Sequence, residues 1–252
     1  MKIKLFVLCV LVSLAGISCN KNDASAATDG QDKGGAVTVD APLPDTKDID
    51  PSLITEAVAY LGLLSDAEKT YNVWTHAEDE PEPGSERVTY LGLVDGSPRF
   101  AVRRKGALKL LGDEVVELRT DGVYYVSMDL GTLKAPALQL PSAIGVGSTW
   151  KSDMTIMLEG EEIESSTILD CRATRFESTT VEAGTYTTLV VQVDAGEAQQ
   201  PKARNLTIHY AKGVSIVRLE LTGVNKQGAP IYFRVELIDD GTRKPPKKER
   251  EE

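Results

Sequence analysis

The chain has 252 residues, 41% of them hydrophobic and 26% charged, with a formal net charge of −10. That length permits one large β domain or two small ones. The acidic balance removes the electrostatic case for binding nucleic acid or the phosphates of an anionic membrane.

The first element is a leader. Lys2 and Lys4 give a cationic start, and Leu5 to Ile17 form an apolar run interrupted by Ser13 and Gly16. The run falls short of the ~20 apolar residues that span a bilayer, so it reads as a cleaved signal. Gly16 and Ser18 lead into Cys19, the pattern of a bacterial lipoprotein signal. Residues 1–18 are then the signal peptide, and Cys19 is the lipidated N-terminus of an exported chain anchored to a bacterial membrane. Stable anchoring through acyl chains takes more than one chain. The competing reading is an ordinary secretory signal cut near Ala24 or Ala26. Cys9 leaves with the leader, and a lipidated Cys19 leaves Cys171 without an intramolecular partner. The fold must then hold without a disulfide. Cys171 alternates with Leu169 and Ala173 as in a strand, which predicts a buried, inert thiol.

Residues 19–49 follow as a tether. They are rich in Asn, Asp, Ala, Gly, Lys and Thr and carry too little apolar surface to fold. Asp50-Pro51 then opens a predicted helix, with Asp50 as the cap and Pro51 at the first helical position. Leu53, Ala57 and Leu61 recur at helical spacing, and Gly62 is the predicted stop.

From about Lys69 to Ile238 the period is two. Met154 and Ile156, then Leu206, Ile208 and Tyr210, then Ile231, Phe233, Val235 and Leu237 alternate with mostly polar neighbours. Such runs are antiparallel strands covered on one face. Turn signals separate them at Glu82-Pro83-Gly84, Asp95-Gly96, Asp121-Gly122, Glu159-Gly160, Ala183-Gly184 and Gln227-Gly228. About a dozen strands fit this spacing. The lack of a long helical pattern between them argues against parallel βαβ units. Residues 50–241 read as a single β-rich domain, and 242–252 (TRKPPKKEREE) as a disordered charged tail.

Few residues point to chemistry. His76 and His209 are the only histidines, and both read as surface-facing residues of strands. No cluster has metal-ligand spacing, and neither a nucleophile elbow nor a phosphate loop is present. The acidic runs Glu78-Asp79-Glu80 and Glu159 to Glu164 read as hairpin tips. A carboxylate pair for hydrolysis is the least favoured reading. Strand aromatics, among them Trp74, Tyr125, Trp150 and Tyr210, either line a ligand groove or fill a core.

Three segments together carry a resemblance: LPSAIGVGSTW at 140–150, VEAGTYTTLVVQV at 181–193 and HYAKGVSIVRL at 209–219. In this order they resemble a group of bacterial exported β-rich domains, many of them lipoproteins of unknown function. Ser215 departs from the second Gly usual in that group. The group is distantly similar to the half-barrels of the lipoprotein carriers LolA and LolB. The resemblance implies a concave face able to hold an acyl chain or another apolar ligand.

The expectation is therefore a mainly β fold, a curved antiparallel sheet forming a half-barrel or open barrel, with one N-terminal helix. The function that fits is a lipid-anchored envelope protein acting as a binding or interaction domain, not an enzyme. A half-barrel carrier of a hydrophobic ligand is the alternative. The partners expected are the membrane, through acyl chains on Cys19, and a hydrophobic or envelope ligand, with no cofactor, metal or nucleic acid. The sequence does not set the oligomeric state.

Overall fold

Alternation of period two is realised as twelve strands in the computed structural model. It describes residues 49–129, 131–157, 164–195, 205–224 and 229–242. The strands are β1 (Lys69–Trp74), β2 (Glu82–Val94), β3 (Ser97–Gly106), β4 (Glu114–Arg119), β5 (Gly122–Met128) and β6 (Gly131–Pro141). They continue as β7 (Thr149–Met157), β8 (Glu164–Val181), β9 (Gly184–Ala195), β10 (Asn205–Ala211), β11 (Ser215–Val224) and β12 (Pro230–Asp239). Each pairs antiparallel with its neighbours in the chain, and β1 returns to pair with β12.

The sheet is thus a closed barrel, not the half-barrel or open barrel expected from the sequence. The β1–β12 ladder runs from Thr70↔Asp239 to Trp74↔Arg234 and removes both free edges. Alternation shows which face of a strand is buried but not which strand it pairs with, so closure was invisible in the pattern.

One row of side chains shows how the interior is built. Val73, Val235, Leu219, Ile208, Val191 and Ala173 stand opposite one another across β1, β12, β11, β10, β9 and β8. All except the half-buried Ile208 are buried. Rows of this kind fill most of the barrel.

The predicted helix at 51–62 forms in two pieces. Asp50 accepts from the Ser52 amide at 2.9 Å and caps a 3₁₀ turn, Pro51–Leu53. The chain then extends at Thr55 and restarts as α1, Glu56–Leu61. Ala57, Val58, Tyr60 and Leu61 are buried against the barrel core. Gly62 ends α1 in the left-handed conformation, φ 58°, as expected of a C-cap. A Cβ there would lie 3.1 Å from the Val214 carbonyl. Ile49, read as the last tether residue, is 1% exposed and belongs to the core. Cys19, the rest of the tether, and the tail beyond Thr242 lie outside the described residues, as do the turns at Glu159-Gly160 and Gln227-Gly228.

Asp95-Gly96 joins β2 to β3 with φ 53° and 81°, the positive pair of a tight hairpin turn. Glu82-Pro83-Gly84, read as a turn, instead starts β2 and pairs with β1. Leu108 packs against Gly84 so closely that a Cβ would approach its backbone nitrogen to 2.6 Å. That glycine serves close packing inside a strand, not chain reversal.

β8 and β9 outrun their neighbours. Beyond the bulge between Ala173 and Arg175, their hairpin lies against β10, β11 and β12. The Arg218 guanidinium donates to Thr180 O at 3.0 Å, the Ala183 amide to Leu237 O at 3.3 Å, and the Tyr186 hydroxyl to Asp240 at 2.9 Å. This arm explains why Val190 and Thr188 are buried although they face away from Leu189 and Val191.

Candidate functional site

The barrel holds a cavity of about 150 Å³. Its walls are mostly aliphatic and aromatic and come from both halves of the barrel. Val102, Tyr125, Leu140, Trp150, Met154, Leu169, Val191, Ile208, Tyr210 and Ile216 contribute, and Leu61 and Leu63 reach it from α1 and the segment after it. Trp150, Tyr125 and Tyr210 are thus aromatics of the sequence reading that line the cavity, whereas Tyr71 and Phe233 fill the core. Trp74 lies outside, 5.3 Å beneath the Arg234 guanidinium. Cys171 also lines the cavity, and burial pushes its thiol up to about 12. It is the inert thiol the sequence predicts.

Part of the wall is charged. Arg104 is buried and donates to Glu86 at 3.0 Å, to Glu114 at 2.6 Å and to the Gly112 carbonyl at 2.8 Å. Lys69, 1% exposed, lies 3.9 Å from the other oxygen of Glu86. Burial opposes the charge on Arg104, but Glu114 and Glu86 outweigh it and raise its pKa. Burial lowers the Lys69 pKa and raises that of Glu114, the latter against the pull of Arg104. Among the described residues, Glu86 and Glu114 are the two carboxylates that line the cavity, and both are bound to the same guanidinium.

Sequence reasoning missed this cluster, although a signal was present. Glu86 precedes Val88, Arg104 follows Phe100 and Val102, and Glu114 precedes Val116 and Leu118, all at spacing two. Each charge therefore sits on the apolar face of its strand.

Two neutral polar residues, Ser152 on β7 and Gln139 on β6, also line the cavity, with Ser152 Oγ and Gln139 Oε1 buried without a hydrogen-bond partner.

The histidines are not brought together. His76 lies beyond β1, exposed, with Nδ1 2.9 Å from Asp79. His209 is on β10 and faces outward, but the β8–β9 arm covers it, leaving it 4% exposed. Its Nδ1 lies 3.1 Å from both Glu177 and Thr179. The surface reading therefore fails for His209, because an arm from elsewhere in the chain lies over its strand. Among the described residues no group of three His, Cys, Asp or Glu could hold a metal.

The outer surface carries ion pairs, including Arg218–Glu236 and Arg99–Glu117 at 2.7 Å and Lys151–Asp170 at 3.2 Å.

No protein-family model matches the chain, and neither does any curated protein. Two solved structures resemble it. One is a protein of Bacteroides fragilis inferred to be exported, with a YmcC-like fold; identity is 12% over 69% of this chain and 95% of that one, with a TM-score of 0.45. The other is an inferred lipoprotein of Parabacteroides distasonis, 9% identical over 71% of this chain and 97% of that one, with a TM-score of 0.44. Likeness at this level carries no argument about function. The half-barrel of the LolA and LolB carriers does not appear in the barrel described above.

Proposed function

We propose that this chain is an exported protein, anchored to a bacterial membrane through acyl chains on Cys19, whose barrel binds a small apolar ligand. The observation that carries the binding role is the cavity of about 150 Å³, walled by aliphatic and aromatic side chains inside a closed barrel. An apolar cavity of about that size admits a single benzene ring. Sites for drug-sized molecules run to about 300–1,000 Å³. The space therefore favours one ring or a chain of a few carbons over the whole acyl chain a half-barrel carrier would hold. Binding is favoured over hydrolysis because both cavity carboxylates are held by Arg104.

The two tryptophans make the reading testable. A Trp74→Phe variant leaves Trp150, in the cavity wall, as the one indole. Titration with toluene should shift its emission saturably, and palmitate should not compete. A Leu169→Trp or Cys171→Phe substitution that fills the space should abolish toluene binding, read by calorimetry. Absence of any saturable toluene response in the folded parent would refute the proposal.

A further inference from the structure

The large hydrophobic side chains left exposed among the described residues are not scattered. Ile54, Leu91, Leu93, Val94 and Val146 stand at one end of the barrel, and the other two, Ile168 and Phe176, belong to β8. Leu93 is 59% exposed and Val146 53%. Strand pairing fixes the common end. Arg99↔Glu117 and Arg119↔Gly122 set the β2–β3 tip beside the β4–β5 tip. Gly122↔Pro141 then leads to the 142–148 loop that carries Val146, and the Ser142 amide donates to the Asp121 carbonyl at 2.9 Å. Across the same end lies α1, which follows Ile54 and Thr55. There the Gly213 amide of the β10–β11 turn donates to the Ala59 carbonyl at 2.7 Å.

Both flanking segments of the chain join the barrel here. Ile49 shares a core cluster with Ala57 and Val58 of α1, so the chain leading from Cys19 arrives at this end. At the other terminus β12 runs to Asp239, close to Thr70. A Cβ on Gly241 would lie 2.7 Å from that of Ala67, in the connection from α1 to β1. Arg243, Lys244, Lys247 and Lys248 follow Thr242 in the sequence.

We propose that this end of the barrel docks on the membrane that holds the acyl chains of Cys19, with the β2–β3 tip and the 142–148 loop set into the lipid interface. This rests on the anchoring reading given above. A membrane fits the arrangement because the apolar residues belong to separate tips around one rim, which a single flat surface meets together. The anchor enters at the same end, so the rim reaches the bilayer without the barrel turning over. Tethering also raises the concentration of the rim at the surface, and a contact too weak to hold the protein alone then persists. The whole chain is acidic, but the four cations after Thr242 supply local charge that anionic headgroups attract. Asp95 and Asp121, at two of the tips, keep the contact at headgroup depth, since a carboxylate is costly to bury in hydrocarbon.

A nitroxide placed at one site at a time reads the contact, on the lipidated full chain in vesicles of phosphatidylcholine and phosphatidylglycerol. Leu93→Cys and Val146→Cys carry the label on the docking face, and Glu78→Cys carries it beyond β1, at the opposite end. Cys171 is buried, and Cys19 is blocked by its lipid. Collision with a water-soluble nickel chelate should be about threefold or more lower at 93 and 146 than at 78. All three positions are exposed, so circular dichroism should be unchanged. Leu91→Cys, exposed on the same tip as Leu93, replaces whichever face variant fails to fold. Equal collision at the three sites, with the chain sedimenting on the vesicles, overturns the docking and leaves the anchoring intact. Protection at only one face site also overturns it. A lipidated chain that stays in the supernatant defeats both readings.

Discussion

Removing the Arg104 guanidinium tests whether the charged wall of the cavity is a mutually dependent unit. Arg104→Met keeps most of the side chain's length but strips three hydrogen bonds, to Glu86, Glu114 and Gly112 O. Breaking a buried ion pair by deleting one partner costs about 3–5 kcal/mol, because the survivor is left charged and unsolvated. The orphaned Gly112 carbonyl adds about 1–3 kcal/mol, although the losses are not additive. A loss of at least about 3 kcal/mol at neutral pH is expected from urea melts.

The loss should also depend on pH. Burial already holds Glu114 above its ordinary 4.5, and Arg104 is the strongest influence pulling it back. Without Arg104 the folded-state pKa rises further. A folded carboxyl with a raised pKa binds more protons than its unfolded counterpart, so its contribution is favourable below the unfolded value and declines as pH rises above it. The gap between variant and parent should therefore narrow as pH is lowered from about 7 to about 5. Adding Glu114→Gln to Arg104→Met should recover much of the stability, since Glu114 is the carboxylate left without a cationic partner while Glu86 keeps Lys69 at 3.9 Å. A cost under about 1 kcal/mol, with no narrowing on acidification, would refute the reasoning.

Leu189→Ala empties a site that is 0% exposed and should cost about 2–5 kcal/mol. Gln192→Ala, on the exposed face of the same strand, should stay within about 0.5 kcal/mol of the parent in the same denaturant melts. His209 should make stability sensitive to mild acid. Burial lowers its pKa below 6.5, with Glu177 and Glu220 opposing and Arg218 and Arg175 assisting. Its contribution is present above the unfolded pKa of 6.5 and is lost as pH falls below it, so His209→Gln should flatten thermal melts across that range. Cys19→Ser should move the protein from the membrane to the soluble fraction on fractionation while its circular dichroism stays unchanged. A variant that remains with membranes would contradict lipid anchoring.

Alternation alone identified the strands, because a sheet with one covered face imposes a period of two whatever its partners. Leu189, Val191 and Val193 lie on the buried face of β9 and Gln192 on the exposed one, as alternation requires. Turn residues located the hairpins at Asp95-Gly96 and Ala183-Gly184, where backbone geometry is local, and Gly184 has a positive φ, 139°. Ser215 holds φ 92°, a value uncommon for a residue with a Cβ. The Asp50 cap and the Gly62 stop were legible for the same reason, since both act within a few residues.

What depends on contacts between distant segments was decided only in three dimensions. Closure of β1 on β12 joins residues some 160 positions apart, and nothing local encodes that pairing. The arm over His209 and the convergence of Lys69, Glu86, Arg104 and Glu114 are of the same kind. Each charge is visible in the sequence on the apolar face of its strand, but the partner that neutralises it is not. The cavity is more remote still. It is the volume left over once rows from facing strands and α1 have packed, a difference between large quantities that no single segment carries.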